Sequence, residues 1–85
     1  MKYLIMCRSL TSAQRSAAFL ERKGINVSVV KAPQGLSSSG CAYALSMYRH
    51  FEEASLLLKN NKLLNGKRFI IKDNGDYAEV FDDIS

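Results

Sequence analysis

The topology predicted for this chain depends on how the seven residues CAYALSM, Cys41 to Met47, are interpreted. Larger side chains alternate there with Ala42, Ala44 and Ser46, and a period of two is typical of a β-strand. Alanine, leucine and methionine are also good helix formers, so a helix that begins near Ser39 is the alternative. We favour the strand, because the alternation extends over the whole segment.

The residues before this segment predict a strand, a helix and a second strand. Tyr3 to Cys7 is a nearly continuous apolar run, which is typical of a central strand covered on both faces. A helix follows, with Thr11 or Ser12 as its N-cap and Gly24 as the residue after its end. Residues 25–30 then alternate in polarity, which predicts a strand with one buried face.

The residues after Met47 predict a second helix and a hairpin. Residues 51–58 carry apolar side chains at helical spacing, with Phe51 among them. Residues 68–72 and 77–81 predict two strands, and the Asn74-Gly75 pair between them suits a type I′ turn. The tail, residues 82–85, is expected to fray.

The order of these elements is strand, helix, strand, strand, helix, strand, with a hairpin extension. It predicts an α+β, ferredoxin-like split βαβ (βαββαβ) antiparallel sheet with a C-terminal hairpin and two helices on one face. With 85 residues, the chain is expected to form a single small domain, 1–85. In this topology the third strand lies beside the first and runs antiparallel to it.

The two cysteines are the candidate functional residues. Cys41 follows a loop of small polar residues, Ser37, Ser38, Ser39 and Gly40, whose hydroxyl and N–H groups could favour a thiolate. The alternative is a buried cysteine that only fills space. The antiparallel pairing would bring Cys7, at the end of the first strand, near Cys41 at the start of the third.

Arg8 and the start of the first helix lie next to Cys7 in the sequence. A cation and a helix N-terminus both stabilise a nearby thiolate. The alternative for Arg8 is an exposed flanking charge.

Composition and net charge argue against nucleic-acid binding. Twelve basic and eight acidic residues give a net charge of +4, without the dense basic run of an obligate nucleic-acid binder. The basic pairs, such as Lys67-Arg68, lie where solvated faces are expected. Nucleic-acid binding would need exposed aromatics such as Tyr3, Tyr43 and Phe69, for which core packing is the favoured alternative.

Several further absences are expected from the sequence. We expect neither a secretion signal nor a membrane span, and therefore a cytoplasmic protein with reduced thiols. Two cysteines and His50 lack the spacing of a four-ligand zinc site, and neither a metal nor an organic cofactor is expected.

Four stretches resemble the DUF3343 family, small bacterial proteins described as selenium/sulfur-carrier-like. They are residues 9–13, 24–27, 32–33 and 36–45, and the most specific element is the serine-rich loop that leads into Cys41. The resemblance implies a carrier, rather than a conventional enzyme, that holds a persulfide or perselenide on Cys41. It also implies sulfur or selenium donor and acceptor proteins as partners.

Two functional hypotheses therefore stand side by side. The first is the carrier, in which Cys41 exchanges sulfur or selenium and Cys7 can resolve the product as a disulfide. The second is a non-catalytic binding or dimerisation module with incidental thiols, since the predicted sheet could form a homodimer through a face or an edge. Fold alone does not decide between them.

Overall fold

The predicted succession of helices and strands is observed. A computed structural model describes residues 1–33, 42–64 and 66–81 of the chain. Its elements are β1 (Lys2–Cys7), α1 (Leu10–Arg22), β2 (Ser28–Lys31), β3 (Tyr43–Met47), α2 (Phe51–Asn60), β4 (Arg68–Ile71) and β5 (Tyr77–Val80). The strand interpretation of the third segment is thus confirmed for Tyr43–Met47. Cys41 lies outside the described residues.

The five strands form one sheet in the order β2-β3-β1-β4-β5. Every neighbouring pair is antiparallel, and β3 separates β1 from β2. The predicted antiparallel pairing of the first and third strands is therefore confirmed, with Tyr3 opposite Met47 and Cys7 opposite Tyr43. The protein is an α+β structure with two helices and a five-stranded antiparallel sheet.

β1 is central and is covered on both faces, as its apolar run predicts. Ile5 and Cys7 belong to a buried cluster that includes side chains of both helices, so α1 and α2 pack on the same face of the sheet. Leu4 and Met6 point the other way and form a second cluster with Phe69 and Ala44. Burial on both faces fixes the register, since a slip of one residue would exchange the two sets of side chains.

α1 begins two or three residues earlier than the sequence patterns predict. Ser9, and neither Thr11 nor Ser12, is the N-cap, and its side chain accepts a hydrogen bond from the backbone N–H of Ser12 at 3.1 Å. The end of the helix agrees with the prediction, because Gly24 follows the C-cap with φ +85°. This left-handed conformation is one that glycine adopts at little cost.

α2 begins without a side-chain cap. His50 occupies the N-cap position in the left-handed region, with φ 61°, and makes no capping hydrogen bond. Its Nδ1 lies 3.5 Å from the Glu53 carboxylate on the exposed first turn. At the other end Asn61 donates through both its backbone N–H and its Nδ2 to the carbonyl of Leu57. Within the described ranges, neither helix has the length and hydropathy needed to cross a bilayer.

The hairpin between β4 and β5 is present, but its predicted turn type is wrong. A type I′ turn needs positive φ at both central residues. Gly75 has φ +91°, whereas Asn74 is not among the described residues with positive φ. Instead, the Asn74 side chain accepts from the N–H of Asp76 at 3.0 Å, and the Lys72 N–H donates to the Asp76 carbonyl. The side chain of Asn74 stabilises the turn, so its backbone need not be left-handed.

Candidate functional site

One end of the sheet brings together the elements that flank the predicted thiol site. We call it the thiol end and define it by Cys7, Arg8, Ser9, Ala42 and Tyr43. Register places Cys7 directly opposite Tyr43, which is two residues after Cys41 in the sequence. The backbone N–H of Ala32 also donates to the carbonyl of Ala42 at 3.0 Å, which joins the chain on either side of residues 34–41.

Cys7 is sealed within the core at this end. Its residue is 2% exposed, and it packs in the apolar cluster beneath the helices. The thiol donates a weak hydrogen bond to the carbonyl of Ile5, with Sγ and O 3.7 Å apart. Apolar surroundings disfavour a thiolate, and the burial keeps large molecules away from the sulfur. In the native structure Cys7 is therefore a core side chain rather than an accessible nucleophile.

Of the two residues that follow Cys7, one has an exposed side chain and the other has a side chain engaged in a hydrogen bond. Arg8 is exposed, while the hydroxyl of Ser9 accepts a hydrogen bond from the backbone N–H of Ser12 in the first turn of α1. Cys41 and its supporting loop, Ser37, Ser38, Ser39 and Gly40, lie outside the described residues. The proximity of the two sulfur atoms therefore stays a prediction. The pairing of Cys7 with Tyr43 is compatible with it, because Tyr43 is only two residues from Cys41 in the sequence.

A groove lies at the other end of the sheet, between α2 and the strands β4 and β5. Its volume is about 780 Å³. We call it the α2 groove and define it by the lining residues Tyr3, Tyr48, Phe51, Leu56, Arg68 and Phe81. Tyr48 and Phe81 are 68% and 74% exposed, so large apolar side chains stand open to solvent at its rim. The sequence patterns did not predict this groove.

Three stacked side chains occupy the inner part of the α2 groove. The rings of Tyr3 and Phe51 are nearly parallel, with centroids 4.6 Å apart and 15° between the planes. The guanidinium carbon of Arg68 lies 5.7 Å from the centroid of Phe51. The expectation of a solvated Lys67-Arg68 pair is thus wrong for Arg68, which is half-buried, and right for Lys67, which is exposed. Alternation along β4 is the signal that could have separated them.

The three aromatic residues considered for nucleic-acid binding do not form an exposed platform. Tyr3 and Tyr43 pack against the cluster on the helix-bearing face, whereas Phe69 is buried on the opposite face. Stacking of bases needs aromatic rings that are exposed on a common surface. The favoured alternative, core packing, is the arrangement that these three residues adopt.

Comparison with models of known protein families gives a match over most of the chain. A model of the family described as "Putative Se/S carrier protein-like" matches residues 2–69, a range that includes both cysteines, both helices and the thiol end. Comparisons with curated proteins and with solved structures found no match. Since the matched residues make up most of the chain, this protein belongs to the Se/S carrier protein-like family.

Proposed function

We propose that the protein carries sulfur or selenium as a persulfide or perselenide on Cys41. The observation that supports this most directly is the family match over residues 2–69, which spans Cys41 and the serine-rich loop before it. The role is that of a carrier, which takes the atom from one protein and delivers it to another. Its partners are accordingly a donor and an acceptor protein.

The burial of Cys7 supports the choice of Cys41 as the carrier. Transfer between proteins requires the sulfur of one to reach the sulfur of the other, and Cys7 is 2% exposed in the apolar core. A partner could reach Cys7 only after part of the core had opened. Of the two cysteines, Cys41 is thus the one assigned to exchange with other proteins, with Ser37, Ser38, Ser39, Gly40 and Arg8 as supporting residues.

The proposed loading step conserves atoms and electrons. The Cys41 thiolate attacks the terminal sulfur of a donor persulfide, a Cys41 sulfur–sulfur bond forms, and the bond within the donor persulfide breaks. The donor leaves as a thiolate, and Cys41 becomes a persulfide. An acceptor thiolate then attacks the terminal sulfur in the same manner, which returns Cys41 to a thiolate.

Cys7 provides a second outcome when no acceptor is present. Its thiolate would attack the inner sulfur of the Cys41 persulfide, form a Cys7–Cys41 disulfide and release hydrosulfide. An external dithiol would then have to reduce the disulfide. Because Cys7 lies in the cluster between the sheet and the helices, this reaction requires local opening and should be slower than transfer to an accessible acceptor.

Mass spectrometry of the intact protein tests the proposal. After incubation with a cysteine desulfurase and cysteine, we expect the mass to increase by one sulfur atom, and we expect a reducing dithiol to remove it. The Cys7→Ser variant should still load, whereas Cys41→Ser should not. Loading of Cys41→Ser to the level of the unsubstituted chain would contradict the proposal.

Alkylation rates test the assignment of the two thiols independently of any donor protein. In the native protein we expect Cys41 to react with iodoacetamide at least about a hundredfold faster than Cys7, because a buried site reacts only through opening. In denaturant the two rates should converge. Equal native rates would contradict the separation of roles.

A non-catalytic binding module is the second candidate, and the α2 groove favours it. Exposed aromatic side chains beside an arginine are common in binding surfaces, including those of homodimers. A Cys41→Ser variant that folds and retains partner binding would support the module. Loss of sulfur transfer with binding intact would show that the chain has both properties.

We also propose that the sheet is the ferredoxin-like split βαβ arrangement with an added hairpin strand. This is supported by the position of β3 between β1 and β2, and by α1 and α2 packing on one face. A carrier thiol must be kept reduced between transfers, which favours a cytoplasmic location.

A further inference from the structure

We propose that the α2 groove binds a small molecule made of an apolar body and one oxyanion group, a carboxylate or a phosphate. The site would be separate from sulfur transfer. The groove contains Tyr3 at the start of β1 and residues that follow the end of β3, whereas Cys7 and Tyr43 lie at the opposite end of these two strands. The proposal therefore stands or falls independently of the carrier function.

The size and walls of the groove suit such a ligand. A volume of about 780 Å³ falls within the range of small-molecule sites, roughly 300–1,000 Å³. Ile70 and Val80 from the sheet and Leu56 from α2 provide apolar walls. Tyr48 and Phe81 stand exposed at the rim, where they could cover an apolar body. Removing these surfaces from water would favour binding of the apolar part.

Arg68 is the group that recognises the oxyanion. It is half-buried, and its guanidinium lies over Phe51, which is in turn stacked on Tyr3. The packing restricts the side chain before any ligand arrives, so less rotamer entropy is lost on binding. Within residues 1–33, 42–64 and 66–81, no carboxylate pairs with Arg68. Guanidinium groups bind carboxylates and phosphates in a bidentate manner.

Apart from Arg68, the groove is lined by two further cations, Arg49 and Lys59, and by two carboxylates, Glu52 and Glu53. The Glu53 carboxylate is already beside His50 at 3.5 Å, and Glu52 lies on the same exposed first turn of α2. Arg49 adds a second guanidinium to the lining. A ligand with a single anionic group satisfies Arg68 without placing a second negative charge near Glu52. Charge complementarity thus favours an oxyanion with an apolar body over a polyanion such as nucleic acid.

Titration monitored by NMR tests the proposal on the full chain. The probes are 3-phenylpropionate, phenyl phosphate and the neutral 3-phenyl-1-propanol. We expect either or both anions to shift the backbone amide resonances of Tyr48, Phe51 and Ile70, and the alcohol to bind at least about tenfold more weakly, because a charge-assisted contact is lost. The relative response to the two anions distinguishes carboxylate from phosphate recognition.

Two substitutions with matched controls locate the site. Arg68→Gln should weaken binding of the anions about tenfold or more, whereas Arg15→Gln, an exposed arginine of α1, should not. Leu56→Glu should also reduce binding, because it places a carboxylate at the groove, and Leu10→Glu is its control. Leu56 and Leu10 are similarly exposed, at 45% and 41%, so both variants should fold.

Three results would overturn the proposal. The first is equal binding of the alcohol and the anions, and the second is unchanged binding in both Arg68→Gln and Leu56→Glu. The third is a change in the same resonances with protein concentration in the absence of any probe. That third result would identify the groove as an interface between two copies of the chain.

Discussion

The two ends of the sheet differ in whether the side chains that could react with or bind a partner are exposed to solvent. At the thiol end a chemically reactive side chain, Cys7, is sealed in the core, and its polar neighbour Ser9 is engaged in capping a helix. At the α2 groove the aromatic side chains of Tyr48 and Phe81 remain exposed, and the half-buried Arg68 pairs with no carboxylate of the described residues. The comparison teaches that the residue type indicates what chemistry is possible, while packing decides whether a partner can use it.

The two ends also differ in what holds them together. At the thiol end the backbone of β1 and the segment before β4 approach closely, and the Met6 N–H donates to the Lys67 carbonyl at 2.8 Å. At the groove the contact is between side chains, the Tyr3–Phe51–Arg68 stack. Substitutions at the two ends should therefore lower stability in different ways, through disturbed backbone contacts at the thiol end and through lost side-chain packing at the groove.

The largest expected effect is at the groove, in Phe51→Ala. The ring is 7% exposed and joins the core cluster to the stack, so its removal should lower the free energy of unfolding by about 3–5 kcal/mol. Urea denaturation gives the value. Tyr48→Ala, from the exposed rim, is the control and should change it by less than about 0.5 kcal/mol. Similar losses for both would mean that the stack does not anchor this end.

A smaller effect is expected at the thiol end from Gly66→Ala. A Cβ there would collide with the backbone carbonyl of Met6, which has little room to move. We expect a loss of about 1–3 kcal/mol, the usual range for overpacking. Hydrogen exchange at the Met6 amide should also accelerate. Gly75→Ala is strained by its φ of +91°, but its Cβ meets no atom within 4 Å, so any faster exchange should be centred on the hairpin and not on the Met6 amide.

The smallest effect concerns the cap beside Cys7. Ser9→Ala removes the acceptor for the Ser12 N–H and should cost about 1 kcal/mol, measured by thermal or urea unfolding. Thr11→Ala should cost less than about 0.5 kcal/mol, because Thr11 is an exposed helical residue. If Thr11→Ala were the more damaging change, the helix would begin where the sequence pattern suggests.

The parts of the fold that were predictable are those with a local signal. The alternation in residues 43–47 identified β3, the apolar run of β1 identified a strand buried on both faces, and Gly24 identified the end of α1. Pairing of β1 with β3 followed from the order of elements. Each inference needed only neighbouring residues or a general rule of topology.

What was missed depends on residues that are distant in sequence or on competition between similar ones. Ser9 and Thr11 are both good N-cap residues, and the position at which β1 ends decides which of them caps the helix. The α2 groove depends on Tyr3, Phe51 and Arg68, which belong to three different elements. No local sequence pattern indicates that these three side chains are in contact. The surroundings of Cys41, on which the carrier proposal depends, were predicted from the serine-rich loop alone.

The central position of β1 has a consequence for synthesis of the chain. β1 leaves the ribosome well before both of its sheet neighbours, β3 and β4, have been made. Until residue 47 has emerged, the apolar segment of β1 has no neighbouring strand, and α1 can cover only one of its faces. Nascent chains of this protein should therefore bind chaperones through β1, and release should follow the appearance of β3.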